Sequence, residues 1–591
     1  MSATTQAPVP GPPPVPGTPP RVLSNRERLA GVVQAVGRRP ADVPRRRWES
    51  LLVLGLSTLA YGWFGYWLVV EKHVVGFETL DRLNRALMVW HNDPTKLSAL
   101  GFDYPPLATL LLTPLTVLSG PARSLVVVPL ASAVFAGLTL MTLNTMMRRA
   151  QVLAPLRVAV LLALGANPLV VLYAAGGARH FIWISFVVVA LGALFAWYVT
   201  ADIRFVMIAG LAYSVAALAG YSSLLWFVLS LLMVAAVLAR LGADGTEVEG
   251  TAVGFAAPTV YVIALWTAFN ALLLMDPFSW ITDSSDVSSS GGLPSFSLVE
   301  LAAATGRLVL HGAPLAIVVL PVLVFAGVAR RNTFALWLGI MLAAAVLTPA
   351  LAVALRLTDS PLLMRNALPI LLLSVIGAIW LARSAGEGST LVSAVLVVGL
   401  LASIPWTFQA MKTYEYQNLE STFAAAVSTG ESQEGARTLD GSTVGIMSEE
   451  AMAGWIRDNV SRRSSILTDN AQTYGVMLLT GRPDLFFDRV DASDGPWLAA
   501  AKDPARHVDF MLLSTGAGED LLSQLYPEAA DGSDALLTVA YTTPRYTLVA
   551  VPSGFERGEE SLTDDPAARS TTESTTGSTT REPVDVPEVT P

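Results

Sequence analysis

Eleven apolar segments, each close to the length of about 20 residues that an α-helix needs to cross a bilayer, constrain the fold of this chain more than any other feature. Only 14% of the residues are charged and the mean hydropathy is +0.52, values typical of membrane proteins. The pattern predicts an all-α polytopic membrane bundle of about eleven transmembrane helices. The predicted segments are Leu51–Val70, Leu125–Met147, Val158–Ala175, Phe181–Tyr198, Phe205–Ala219, Leu224–Leu241, Val253–Leu274, Pro314–Ala329, Phe334–Leu355, Ala367–Ala382 and Leu391–Trp406.

A further apolar segment, Pro105–Leu118, is too short to be assigned by length and begins with two prolines. If it does not cross the bilayer, nearly all basic residues of the short loops fall on the cytoplasmic side, as the positive-inside rule requires, with Arg123 as the exception. We therefore predict a re-entrant or juxtamembrane helix here. The residues placed inside are Arg148, Arg149, Arg157, Arg204, Arg240, Arg330, Arg331 and Arg383.

The segments between and beyond the apolar runs give the predicted domain organisation. Residues 1–47 are Pro-rich and then basic, which indicates a disordered cytoplasmic tail. Residues 48–406 form the membrane domain, with a first outer loop at 71–104. Residues 407–555 have the alternation of short apolar runs and a helical stretch that is typical of a small α/β domain, placed outside the cell, and residues 556–591 are too polar to form a core.

Composition also excludes several function classes. The net charge of −9 and the lack of one basic surface argue against a nucleic-acid partner. The absence of cysteine excludes disulfides, thiolate metal sites and a cysteine nucleophile. No phosphate-binding P-loop, serine nucleophile elbow or HExxH zinc motif is present, so ATP-driven transport and the corresponding hydrolases lack support.

The first outer loop contains the densest cluster of acidic residues. Leu80, Leu83, Leu87 and Trp90 recur at helical spacing and predict an amphipathic helix over residues 77–90 that lies on the membrane surface. Glu78 and Asp81 are three residues apart on one face of this helix, and Asp81 also lies four residues before Arg85. The pattern fits either an interfacial helix with a solvated ion pair or a functional carboxylate.

Two short motifs follow this loop. The first is Phe102-Asp103-Tyr104-Pro105-Pro106-Leu107-Ala108, and the second is Asn167-Pro168-Leu169-Val170-Val171-Leu172-Tyr173. The acidic loop and these motifs resemble those of the GT-C superfamily of multi-spanning glycosyltransferases in their order, in their spacing and in the side of the membrane on which they are predicted to lie. The resemblance extends over residues 76–180 and is greatest to bacterial polyprenol-phosphate-mannose-dependent mannosyltransferases.

The resemblance implies an inverting sugar transfer in which a loop carboxylate is the general base on the acceptor hydroxyl and a lipid phosphate leaves. Glu78 aligns best with the family's acidic position, Asp81 is the second candidate and Asp103 the third. The family usually has aspartate at this position, so both Glu78 and Asp81 remain candidates for the base.

Cationic residues at the predicted outer ends of spans are candidate ligands for the donor phosphate. Arg365 lies where related enzymes carry a phosphate-binding arginine, and Arg356 is a weaker candidate. Arg179 and His180 stand where relatives often carry an acidic residue, which is a departure from the family pattern. For each of them, anchoring of a helix end to the headgroups is the alternative interpretation. Arg307 and His311 are candidates of lower rank, and His73 and His91 cannot be distinguished from surface residues.

No metal site is predicted. Asp283 and Asp286 lie in a Ser-rich loop whose oxygen atoms suit a divalent cation, but such loops are usually only solvated. Asp469 and Asn470, which follow a predicted strand, are better explained as helix caps than as an acceptor groove.

Together, the resemblance and the residues predict a bacterial plasma-membrane glycosyltransferase of GT-C type. The implied partners are a polyprenyl-phosphate sugar donor, with mannose or arabinofuranose as the sugar, an envelope glycolipid, polysaccharide or protein as acceptor, and membrane lipids. Two alternatives remain at this point: a transporter or flippase of envelope precursors, and a non-catalytic scaffold of the same fold.

Overall fold

The structure is a computed structural model that describes residues 47–101, 105–177, 179–273, 275–278, 280, 297–355, 362–416, 419–435, 444–489, 495–515, 520–534 and 536–552; the side chains of Arg179 and His180 are not part of the description. By internal contacts the chain divides into two compact units. The first comprises residues 1–460 and 474–484, and the second comprises residues 461–473 and 485–591.

Every predicted apolar segment corresponds to a helix or a bent pair of helices. Within the described residues, eight helices are long and apolar enough to cross a membrane alone, and two bent pairs raise the number to ten. The helix Arg204–Ala219, with 16 residues, is shorter. The predicted multi-pass bundle is therefore confirmed, with eight to ten candidate spans instead of about eleven. The single-helix candidates are Arg47–Glu71, Val127–Arg149, Phe181–Thr200, Ser223–Arg240, Gly245–Leu273, Thr333–Ala354, Met364–Ser384 and Gly386–Thr413.

The two bent pairs are Ala154–Gly165 with Pro168–Ala175, bent by 69°, and Leu298–Gly312 with Leu315–Ala329, bent by 103°. The first bend has a clear cause in the sequence. Asn167 caps the second helix by accepting a hydrogen bond from the backbone N–H of Leu169, and Pro168 stands at the first helical position. Since proline has no N–H to continue the preceding helix, the Asn-Pro element ends one helix and begins another.

The helices Phe181–Thr200 and Met364–Ser384 lie at the centre of the bundle, because 89% and 83% of their most apolar windows are buried. They meet through aromatic contacts, with the rings of Phe195 and Trp380 5.6 Å apart at 87°. The span Val127–Arg149 approaches the first span closely at Gly137, where a Cβ atom would come within 2.8 Å of the backbone oxygen of Leu54. This close approach lets the two spans pack with their backbones in near contact.

The first span ends in a π-helical turn, Tyr66–Glu71, and the loop after it leads into the helix Phe77–His91. The predicted helix is thus confirmed as a helix. Its buried residues cover more of its surface than a single apolar stripe. The segment Pro105–Leu118 forms the short helix Leu107–Leu112 and a 3₁₀ turn, Thr113–Leu115, instead of one continuous helix. The remaining helices of this unit outside the spans are Leu97–Leu100 (3₁₀), Ser119–Arg123, Met364–Asn366 (3₁₀), Glu420–Thr429 and Met447–Asn459.

The second unit contains a mixed five-stranded sheet, as expected for a small α/β domain. Its strands are β1 (Ile466–Asp469), β2 (Phe486–Arg489), β3 (Phe510–Ser514), β4 (Thr538–Thr542) and β5 (Tyr546–Ala550), in the order β2-β1-β3-β5-β4. Strand β1 is parallel to both β2 and β3, whereas β5 is antiparallel to β3 and β4. The short apolar runs that predict this domain, at 465–468, 508–513, 536–541 and 546–551, match four of the strands, and β2 is additional. The helices in this part of the chain are Asn470–Thr480, Gly495–Lys502, Leu521–Leu525 and Pro527–Ala530.

Candidate active site

Glu78 lies in the first turn of the helix Phe77–His91. The start of this helix is fixed on two sides: a Cβ atom on Gly76 would be 3.6 Å from the side chain of Leu419, and the hydroxyl of Thr79 lies 3.5 Å from the carbonyl oxygen of Gly177. Gly177 adopts a φ of +79°, which favours glycine. The Glu78 side chain is half exposed and therefore accessible to a substrate.

Arg365 donates a hydrogen bond to Glu78, with 3.2 Å between Nη1 and Oε1. It stands in the 3₁₀ turn Met364–Asn366 that leads into a central helix. The backbone N–H of Met364 is bound to the carbonyl oxygen of Tyr416 at 3.0 Å, which ties this turn to the segment after the last span. Two predicted site residues that are 287 positions apart in the sequence are thus in direct contact.

A buried tyrosine and a buried glutamate complete the cluster. The Tyr173 hydroxyl donates to Oε1 of Glu420 at 2.6 Å, and the Glu420 side chain has no exposed surface. The negative charges of Glu78 and Glu420 both act on the Arg365 guanidinium, and the neutral Tyr173 hydroxyl binds Glu420, so the four groups form one polar cluster. Tyr173 belongs to the helix that begins at the Asn-Pro element, and that element therefore determines its position.

A large apolar groove is lined in part by the two helices that carry Tyr173 and Glu420. Its volume is about 860 Å³. Most of its lining comes from the first span, the bent pair Ala154–Gly165 with Pro168–Ala175, the last span and the helix Glu420–Thr429. Phe423 and Val427 line the groove three and seven residues after Glu420, and Val171 lines it two residues before Tyr173. The same two helices thus carry Tyr173 and Glu420 of the polar cluster and part of the groove wall.

The full lining of the groove contains almost only apolar side chains. It consists of Leu52, Val53, Leu56, Ser57, Ala60, Tyr61, Phe64, Leu140, Val158, Leu161, Leu162, Gly165, Ala166, Pro168, Val171, Ile404, Pro405, Phe408, Phe423 and Val427.

A much smaller cavity of about 30 Å³ lies directly at Glu78. Its polar lining comes from Glu78, Thr79, Arg82 and Ser132. The volume holds about two water molecules. A sugar ring does not fit there without a movement of the surrounding side chains.

The second carboxylate candidate, Asp81, has a local partner. Nε of Arg85 donates to both carboxylate oxygens of Asp81 at 3.0 and 3.1 Å, which is the i,i+4 pair that the spacing suggests. Arg307 pairs with Glu415 at 3.6 Å on the surface, and the His311 ring stacks on Trp406. These contacts are local or exposed, and the structure places neither Asp81 nor Arg307 in the contact between Glu78 and Arg365.

Several predicted candidates lie outside the described residues: Asp103, Arg356, Asp283 and Asp286. For Arg179 and His180 only the backbone is described, at the start of the helix Arg179–Thr200. Within the described part of the chain, no group of three or more His, Asp or Glu side chains is arranged to hold a metal ion.

The sequence analysis does not single out Glu420 or Arg82. Glu420 follows the last apolar segment among other polar residues and resembles a surface acid, and only the fold shows that it is buried against Tyr173. Arg82 is 6% exposed and lies four residues after Glu78, on the same helix face. This four-residue spacing from Glu78 is the feature of the sequence that could have indicated a role for Arg82.

A second polar contact joins the first outer loop to a later segment of the chain. His73 pairs through Nδ1 with Glu434, and the Glu434 carboxylate also accepts hydrogen bonds from the backbone N–H groups of Ile446, at 3.1 Å, and Met447, at 3.2 Å. The hydrogen bond to Glu434 raises the pKa of His73 against the effect of burial. Burial opposes ionisation of Glu434, but the bonds from His73 and the two amides together lower its pKa.

This pair predicts a pH-dependent contribution to stability. The raised His73 pKa gives stability that is complete below the ordinary value of about 6.5 and lost as the pH rises through the folded value. The lowered Glu434 pKa gives stability that is present above about 4.5 and lost as the pH falls. We expect Glu434→Gln to lower the melting temperature of the purified protein most near pH 5 to 6, by an amount equivalent to about 1 to 2 kcal/mol, and less at pH 9. Glu431→Gln, an exposed neighbour, is the control, and an equal effect at all pH values would contradict the assignment.

The chain matches no protein-family model and no curated protein sequence. Its structure is similar to that of ArnT from Cupriavidus metallidurans bound to undecaprenyl phosphate, with a TM-score of 0.52 and 15% sequence identity over 86% of this chain and 99% of ArnT. Two structures of the Archaeoglobus fulgidus oligosaccharyltransferase are more distant. The apo form has a TM-score of 0.43, with 11% identity over 80% of this chain and 70% of that chain.

The complex of the same oligosaccharyltransferase with zinc and sulfate has a TM-score of 0.39, with 11% identity over 78% of this chain and 68% of that chain. The similarity to ArnT confirms, at the level of the fold, the resemblance seen in the sequence. This multi-pass membrane protein has the fold of ArnT.

Proposed function

We propose that this protein is a membrane glycosyltransferase that moves a sugar from a polyprenyl-phosphate donor to an acceptor of the cell envelope. The observation that carries the proposal is the Glu78–Arg365 contact, in a membrane domain that also holds a large apolar groove. A carboxylate suits the acceptor alcohol, a guanidinium suits the phosphate of the donor, and an apolar groove suits its lipid tail. The fold shared with ArnT supports the same function.

In this reaction Glu78 is the general base. It takes the proton of the acceptor hydroxyl while the acceptor oxygen forms a bond to the anomeric carbon of the sugar. The bond between that carbon and the phosphate oxygen breaks, and its electron pair leaves with the lipid phosphate. Arg365 binds the phosphate and stabilises the charge that develops on it.

The groove is the proposed site of the lipid tail. Its lining offers hydrocarbon contacts along the first span, the bent pair and the last span, which suits an isoprenoid chain and excludes a free nucleotide sugar. The solved ArnT structure contains undecaprenyl phosphate, a lipid of this chemical class. We propose mannose as the first sugar to test and arabinofuranose as the second, with an envelope glycolipid, polysaccharide or protein as acceptor.

The proposed location is the outer face of a bacterial plasma membrane. It rests on the distribution of basic residues, which places most arginines of the short loops inside and the loop with Glu78 outside. A donor carried on polyprenyl phosphate fits this location, since nucleotide sugars remain in the cytoplasm.

The test is sugar transfer in membranes that contain the full-length protein. Polyprenyl-phosphate donors labelled in mannose or arabinofuranose are supplied separately, and the label in the envelope acceptor fraction is measured against membranes without the protein. We expect protein-dependent transfer from one of the two donors. Movement of labelled lipid across the bilayer without transfer would favour a transporter or flippase, and neither activity would favour a non-catalytic scaffold.

A substitution in the groove tests the tail site. Ala60 lines the groove, and Ala60→Trp fills part of it. We expect the KM for a long-chain polyprenyl-phosphate donor to rise about tenfold, the factor that roughly 1.4 kcal/mol gives, while a citronellyl-phosphate donor is unaffected. Leu59→Trp is the matched control because Leu59 is 71% exposed and does not line the groove. An equal effect on both donors would contradict the assignment of the groove as the binding site of the lipid tail.

A further inference from the structure

The contact between Glu78 and Arg365 joins two groups that the proposed function assigns to different substrates. Arg365 is the ligand of the donor phosphate and Glu78 is the base for the acceptor hydroxyl, yet the two side chains bind each other at 3.2 Å. While they do so, a lone pair of Glu78 and an N–H group of Arg365 are occupied. A carboxylate that faces a guanidinium is also a weaker proton acceptor than one released from it.

The two side chains differ in exposure, and the more exposed one is displaced more easily. Arg365 is 19% exposed and lies beside Tyr173 and Glu420, both of which are buried. Glu78 is 50% exposed, and its side chain lies in the first turn of its helix. A change of partner at Arg365 therefore displaces Glu78 and leaves the guanidinium in place.

The charges also favour an exchange. The phosphodiester of a polyprenyl-phosphate sugar carries one negative charge, as does the Glu78 carboxylate. When one replaces the other on Arg365, the charge next to buried Glu420 is unchanged, so the repulsion from Glu420 largely cancels in the exchange. A bidentate phosphate contact is stronger than the single hydrogen bond that Glu78 makes.

We infer that the Glu78–Arg365 pair is an autoinhibitory latch, which the donor phosphate opens by taking the place of Glu78 on Arg365. The inference rests on the proposed function and adds an order to it. The base becomes available only after the donor has bound, so the donor binds first and the acceptor second. The small cavity at Glu78, with room for about two waters, agrees with a resting site that is closed to the acceptor.

The experiment measures how readily Glu78 reacts with a water-soluble carbodiimide and a glycine ester. The full-length protein in nanodiscs is labelled with and without undecaprenyl phosphate, and the modified peptides are quantified by mass spectrometry. We expect the lipid to raise labelling of Glu78 up to about fivefold, the factor that corresponds to release of one partly exposed ion pair. Asp81 is the internal control, since its partner Arg85 is not Arg365 and its labelling should stay constant.

A variant removes the need for the lipid. In Arg365→Gln the latch is absent, and we expect Glu78 to be labelled as strongly without lipid as in the wild type with lipid. Lipid binding is followed separately by native mass spectrometry. If undecaprenyl phosphate binds and Glu78 labelling stays the same, the latch is wrong and the proposed function stands. If the lipid does not bind the wild type at all, the proposed function fails and the latch fails with it.

Discussion

Replacing Arg365 with alanine is expected to lower the rate of sugar transfer about 10²- to 10³-fold, the loss seen when a fixed charge-stabilising donor is removed from an active site. Arg365 donates a hydrogen bond to Glu78, and the proposed reaction gives it the role of binding the leaving phosphate. The assay compares initial rates in membranes with equal amounts of protein. Arg365→Lys keeps the charge without the planar fork, so we expect an intermediate rate.

The control for this substitution is Arg307→Ala. Arg307 is also an arginine near the end of a helix, but it is 53% exposed and pairs with an exposed glutamate, so its loss should change the rate by no more than about twofold. Equal losses in both variants would point to a general effect of basic residues on the membrane domain. Full activity in Arg365→Ala would remove Arg365 from the site.

Replacing Glu78 with glutamine is expected to lower kcat about 10²- to 10⁴-fold, which is the range for loss of a positioned general base. Glutamine has nearly the same shape and still accepts a hydrogen bond from Arg365, so the fold should be unaffected. Because a neutral amide holds Arg365 less tightly than a carboxylate, the KM for the donor should stay constant or fall. The measurement is a steady-state series over donor concentration.

The matched control is Asp81→Asn, one helical turn away on the same element. This substitution removes an i,i+4 ion pair with Arg85, which is worth about 0.3 to 0.5 kcal/mol, and leaves the contact with Arg365 intact. We expect most of the activity to remain. Loss of transfer in Asp81→Asn with retention in Glu78→Gln would identify Asp81 as the base and would contradict the geometry on which the proposal is built.

Most of the membrane fold follows from the sequence because hydropathy is a local property. Each span buries its own backbone hydrogen bonds, so a run of apolar residues is sufficient to predict it. The bends are less local. The Asn167-Pro168 element is readable as a helix break, yet the 69° angle depends on packing against the last span, where Asn167 also donates to Ser403 at 3.2 Å. The helix Leu298–Gly312 was not predicted, because polar residues interrupt its apolar pattern.

The candidate site shows a sharper limit. The sequence places Glu78 in an acidic loop and Arg365 at the end of a span, and each also fits the pattern of a solvated surface residue. Their contact joins residues 287 positions apart, so no local pattern in the sequence indicates it. Glu420 gives no sequence signal, since burial of a carboxylate depends on a distant tyrosine. Strand β2, Phe486–Arg489, has only two apolar residues in four and is recognisable as a strand only through its pairing with β1.

The most direct test of the account is a cryo-EM structure of the full-length protein in nanodiscs with undecaprenyl phosphate. The account predicts that the phosphate lies within hydrogen-bond distance of Arg365, that the Glu78 carboxylate has moved away from the guanidinium, and that the first isoprene units lie in the groove between Val171 and Phe423. A lipid phosphate bound elsewhere, with the Glu78–Arg365 contact intact, would contradict it.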